Sequence, residues 1–189
     1  MASSMIDAVR SVVGAQPNHR RLAEDAAQTF LEGVPVTLNT GTGGVNEWGG
    51  LGLSNNILGI SKEAASNLTT VGVPKTLTYG SVPNQPNAVK IPMGAPLNDG
   101  RIGVDTADGG TIFKGQVGPS QTTALTDVGK QYGMTKDSDN HWYVDKTKTT
   151  TTGSASSSDA VVEIVALDQF DTARGVRFVF LSTARQGIV

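Results

Sequence analysis

The chain contains no cysteine, so disulfides and thiolate-ligated metal centres are excluded. Its histidines are two, His19 and His141, far apart in sequence and in unlike surroundings. A closed zinc site therefore has no evident ligand set. Aromatic residues make up 5% of the chain, so each one marks a place where burial is concentrated. There is no basic excess either. The formal net charge is -2, against the basic stripe expected of a nucleic-acid binder. No apolar run approaches the ~20 residues that span a bilayer. Asp7 and Arg10 interrupt the apolar patch near the N-terminus, which makes it a poor signal peptide.

What the chain does have is glycine, 23 in 189 residues, together with much threonine, serine and valine. That balance favours strands and turns over helices. The length is enough for one domain with a real core and marginal for two. No repeat of fixed period is evident.

Taken in order, residues 1–20 read as an arm. Ile6, Val9 and Val13 fall at helical spacing and would form one apolar stripe. A helix this short is not stable alone in water, so the arm reads either as a frayed terminus or as a segment that orders by docking on a partner. Arg10, His19, Arg20 and Arg21 give the arm a basic character. Residues 22–31 (LAEDAAQTFL) form the best short helix candidate, closed by Gly33 with Pro35 after it. VPVTLN reads as a first strand. The glycine-rich stretch that follows contains Trp48 and reads either as a long connection or as a contact loop with Trp48 as its anchor.

NILGIS reads as a strand, and SKEAASNL as a helical turn. VPKTLTYG alternates like a strand, and a proline-rich extended connection follows it. RIGVDTADGGTIFKGQV reads as a hairpin that turns at Asp108-Gly109-Gly110, with Ile102 and Val104 facing inward. In the segment 123–149, Thr126 caps a helical turn carrying Leu125, Val128 and Tyr132, and Gly133 stops it. Asp137 to Asn140 form a polar turn. A strand then places Trp142 and Val144 on one face. Residues 147–158 are polar and of low complexity, an exposed loop. AVVEIVALD and GVRFVFLS are two strong strands, expected to complete the sheet that holds Trp142.

Catalytic and ligand motifs fail on inspection. Asp137-Ser138-Asp139 begins like a calcium loop, but Trp142 replaces the required glycine and Lys148 the bidentate glutamate. No Gly-x-Ser-x-Gly elbow is present, and neither glycine-rich run completes a phosphate or dinucleotide loop. No pair of carboxylates stands out for acid–base work. The expectation is a protein without enzymatic activity, metal or cofactor.

The run LTDVGKQYGMTKDSDNHWYVDKT, followed by VVEIVALD and RFVFLS, resembles the C-terminal part of head decoration (cement) proteins of tailed double-stranded DNA bacteriophages. TFLEGVPVTLN, NEWGG and NILGIS resemble the N-terminal half of the same proteins. The similar blocks cover most of the chain from about residue 27 onward. The resemblance implies a structural virion protein, assembled in the host cytoplasm and carried on the outer surface of the capsid. Its partners would be the major capsid protein and neighbouring copies of itself, as trimers or dimers. Nucleic acid, membrane and small-molecule substrates are not expected. A tail or baseplate component or a host-binding adhesin is the alternative, and a small β-rich hydrolase is disfavoured.

The expected architecture is mainly β: a compact barrel- or sandwich-like body with one or two short helices and an extended N-terminal arm. Residues 1–32 would be arm and short helix, and residues 33–189 a single β-rich domain. Ile6, Val9, Arg10, Val13, Arg20, Arg21 and Trp48 are the candidate partner-binding residues.

Overall fold

The structure, a computed structural model, describes residues 6–9, 18–50, 57–72, 100–149 and 159–186. It is mainly β. In chain order the strands are β1 (Asp7–Val9), β2 (His19–Ala23), β3 (Pro35–Leu38), β4 (Val45–Glu47), β5 (Gly59–Ser61), β6 (Arg101–Thr106), β7 (Ile112–Gln116), β8 (Gln131–Lys136), β9 (Trp142–Asp145), β10 (Val162–Leu167) and β11 (Gly175–Phe180). One turn of 3-10 helix, Leu125–Asp127, is the helical element among the described residues.

The strands form two antiparallel sheets. The first has the order β2-β6-β5-β3-β4, and the second β1-β7-β11-β10-β8-β9. Leave β1 aside and the two orders are the same: first, fifth, fourth, second, third. The registers also match. Leu38 pairs with Val45 as Met134 pairs with Val144. Val36 pairs with Gly59 as Tyr132 pairs with Val162. Gly59 pairs with Thr106 as Val162 pairs with Phe180. Ala23 pairs with Arg101 as Gln116 pairs with Gly175.

Each sheet then curls until the residue after its first strand meets its third strand. Parallel bridges join Glu24 to Val45 and Val117 to Val144. The amides one residue further on bond to the same carbonyls, Asp25 N to Val45 O and Gly118 N to Val144 O, both at 3.1 Å. The chain therefore holds one barrel-like unit twice. Even the turns agree. Gly33 (φ 78) and Gly129 (φ 81) hold equivalent left-handed positions, where a side chain is strained. Their amides bond to Ser61 O at 2.9 Å and Ile164 O at 2.8 Å.

The ends of the chain tie the units together. β1 adds to β7 in the second sheet. Residues 184–186 run the other way: Ile57 N donates to Ala184 O (2.6 Å), Gln186 N donates to Ile57 O (2.9 Å), and the Gln186 carboxamide brackets the Leu38 backbone. Between the sheets Trp48 lies on Trp142, with ring centroids 5.1 Å apart. The Trp142 indole N–H donates to Glu47 Oε1 (2.9 Å), and Lys136 pairs with the same carboxylate. One contiguous apolar cluster runs through both units.

Several expectations are corrected. Residues 22–31 are not a helix: Leu22 lies in β2, Glu24 and Asp25 are buried at the seam, and Ala27 has φ 57, which a right-handed helix does not admit. The Leu125–Val128 turn is shorter than expected, and its Leu125 is 82% exposed. Tyr132 and Gly133 belong to β8 instead. Residues 61–68 hold no helical turn. The expected hairpin around Asp108 is a crossover, because β6 pairs in the first sheet and β7 in the second. The glycine-rich stretch after β3 contains β4, so it is a hairpin rather than one long loop. β9, β10 and β11 do share one sheet, as expected, and Trp142 and Val144 are buried together. The strand and proline-rich run expected within 73–99, and most of the loop 147–158, lie outside the described residues.

Candidate functional site

The candidate partner-binding residues do not gather in one place. Ile6 is 2% exposed and belongs to the core, packed beside Gly115. Val9 lies in β1, so the expected helical stripe is a strand here. Its backbone is satisfied by β7, which gives an extended segment what a lone short helix lacks. Arg10 and Val13 lie outside the described residues. Arg21 pairs with Glu63 across the first sheet. Trp48 is also 2% exposed, so it anchors the joint between the sheets and is not a surface contact. Arg20 stands exposed on β2.

Several buried carboxylates are engaged in holding the fold. In the second sheet Asp127 accepts from Lys146 Nζ (2.6 Å), Ala124 N (2.8 Å) and Tyr132 Oη (3.0 Å). Burial pushes the Asp127 carboxyl up, but these three bonds together outweigh it and leave it below the ordinary value. The same burial and the facing carboxylate push the Tyr132 hydroxyl up to about 12. Asp145 accepts from Gln121, Thr135 and Thr147. Asp168 is closed off by Lys114 at 2.6 Å. In the first sheet Asp25 accepts from Ala26 N, Asn39 and Thr42. None of these places a base against a free nucleophile. Among the described residues no group of three His, Asp or Glu side chains converges as a metal site would.

What remains is surface. Leu31 (44% exposed), Leu125 (82%) and Val128 (42%) stand out of the body. Leu31 sits in the connection from β2 to β3, and Leu125 and Val128 in that from β7 to β8. These are the same connection of the two repeated units, each closing on its positive-φ glycine. Phe170, 88% exposed in the β10–β11 turn, lies 5.9 Å from Lys114 Nζ. The sequence did mark Leu125 and Val128 as apolar residues among polar ones. Helical spacing invited them inward, whereas the actual turn is too short to have an inner face.

A cleft of about 360 Å³ opens between the end of β6 and the C-terminal segment. Leu58, Thr106, Ala107 and Asp108 line it together with Ser182, Arg185 and Gln186 of the C-terminal segment and Asn18 and Arg20 of the β2 region. Sequence reading missed all of these but Arg20, because they meet only through the crossing of the chain's ends. Comparison with protein-family models, with curated proteins and with solved structures finds no match for the chain.

Proposed function

We propose that this chain is a structural virion protein that binds the outer face of a phage head and clamps neighbouring major capsid subunits. The observation that carries the reading is the repeated connection. Two units of one topology, packed together through one apolar cluster, offer apolar side chains at equivalent loops: Leu31 on one, Leu125 and Val128 on the other. A partner that is itself repeated, as shell subunits are, presents the matching pair of contacts. Two weak contacts on one body then reinforce each other. The resemblance of the sequence blocks to head decoration proteins points the same way. In this reading the body is the staple, Arg20 joins the contact surface, and Arg10 and Val13 act from the segment that precedes it. Self-association as trimers or dimers around a symmetry axis follows from the same resemblance.

The test is to incubate the purified protein with mature heads that lack decoration and to pellet the heads. Saturable binding at a fixed ratio to capsid subunits is expected. Leu31→Ser and Leu125→Ser should each weaken it roughly 10-fold, and the double variant by more than 100-fold, as linked contacts require. Absence of head binding, with binding to host cells or glycans, would replace this reading with the adhesin one.

A further inference from the structure

The cleft between the end of β6 and residues 182–186 is lined by two arginines, Arg20 and Arg185. Among the described residues neither the Arg20 nor the Arg185 guanidinium has a hydrogen-bond or ion-pair partner, and the Arg185 Nε is buried and unpaired. A buried, unpaired guanidinium nitrogen is costly. The Arg185 side chain also lies against a glycine. It lies so close over Gly109 that any Cβ there would fall 2.1 Å from its Nη1, and Gly109 has φ +87. The one carboxylate of the lining, Asp108, commits its Oδ1 to its own turn and makes no ion pair with either arginine. Its Oδ1 accepts from Gly110 N (3.0 Å), Thr111 N (2.9 Å) and Thr111 Oγ1 (2.9 Å).

The second unit shows that the fold does not need such a cleft. By register, Arg20 corresponds to Phe113, Thr106 to Phe180, and Val104 to Phe178. Those three phenylalanines pack on one another at centroid distances of 5.1 to 6.0 Å. Where one unit fills this place with aromatic core, the other leaves a polar opening.

We propose that the cleft is a recognition site for a carboxylate side chain of a partner protein. The two guanidinium groups supply planar, forked donors for the carboxylate. Asn18, Ser182 and Gln186 supply further polar contacts, and Leu58 and Ala107 apolar contacts for the methylenes that carry it. The volume is at the low end for ligand sites, which suits one side chain better than a larger ligand. The inference builds on the reading of the chain as a protein that grips another protein. It names the chemistry of one grip: an aspartate or glutamate of the partner enters between the two units and bridges Arg20 to Arg185.

A titration that needs no capsid tests it, so its failure and the failure of head binding are separate results. The protein labelled with ¹⁵N is titrated with N-acetylglutamate α-amide, with the N-acetylglutamine counterpart, and with inorganic phosphate at equal ionic strength. The Nε–H resonances of Arg20 and Arg185 are followed. The glutamate compound should move both, with a midpoint at least 10-fold lower than either of the others. Arg20→Gln and Arg185→Gln should each remove the response, with backbone spectra showing a folded protein. Because Arg20 lies exposed on β2, its variant remains informative if the Arg185 variant unfolds. Equal response to the glutamine compound, tighter binding of phosphate, or no movement of either resonance would overturn the proposal.

Discussion

The two units solve one topological problem with different chemistry. The seam of the first, where β2 meets β4, is polar: Glu24 is fully buried, with Oε1 on Ser66 N (2.8 Å), and Asp25 accepts from Asn39 and Thr42. At the same seam the second has Val117 and Gly118. The close approach there is solved in opposite ways. In the first unit Gly44 makes room for Asp25, and in the second Gly118 makes room for the Tyr143 ring. The second unit fills its centre with Phe113, Phe178 and Phe180, where the first has Arg20, Val104 and Thr106. The backbone pairing is thus what the fold requires, and the side chains within it are free to specialise. One unit carries a cluster of three packed phenylalanines. The other carries the open cleft.

The sharpest way to break this comparison is at matched positions. Phe113→Ala should cost about 3–5 kcal/mol in a denaturant titration, as large-to-small core changes do. Equal sensitivity at the matching Arg20 would erase the distinction between packed and open units. Asp127→Asn should come next. It weakens the bond from Lys146 and disturbs those from Ala124 and Tyr132, for about 2 kcal/mol at neutral pH.

Acid should act through the same carboxylates. Asp25, Asp127, Asp145 and Asp168 all have folded values below the ordinary 3.8. Their contribution is complete above that value and is lost as pH falls through the folded ones. Three of the four lie in the second unit. Its amides should therefore lose exchange protection first on acidification, and Asp127→Asn should flatten that loss.

Gly33→Ala and Gly129→Ala should be smaller and alike, about 1 kcal/mol each, since both ask a side chain to sit at positive φ. A large difference between them would mean that the repeat is one of pairing only. Arg20→Ala should have the least effect, within about 0.5 kcal/mol, as for exposed positions.

The sequence disclosed the class of fold and the strongest strands. Alternation around Trp142 and the apolar runs in 161–167 and 175–180 were enough, because burial on one or both faces leaves a pattern along the chain. It concealed the repeat. Of the matched pairs, Gly33 with Gly129 and Val45 with Val144 keep their residue, while Arg20 with Phe113 or Glu24 with Val117 share nothing. The connections differ in length as well, so no fixed period survives. The helix expected over residues 22–31 is absent because Glu24 and Asp25, which look like ordinary solvent-facing charges, are buried. Their burial depends on Ser66, Asn39 and Thr42, which no local window contains. Trp48 looked like a contact residue because glycines surround it. Its partner, Trp142, is distant in the chain. The cleft was invisible for the same reason, being assembled from β2, the end of β6 and the C-terminal segment.

The proposed function rests on a paired body that grips a repeated surface. Imaging heads by electron microscopy, with and without added protein, tests this most directly. The account predicts added density at symmetry-equivalent seams on the outer face, two-lobed, with each lobe over a capsid subunit. Heads that show no added density at saturating protein, or density confined to the tail, would contradict it.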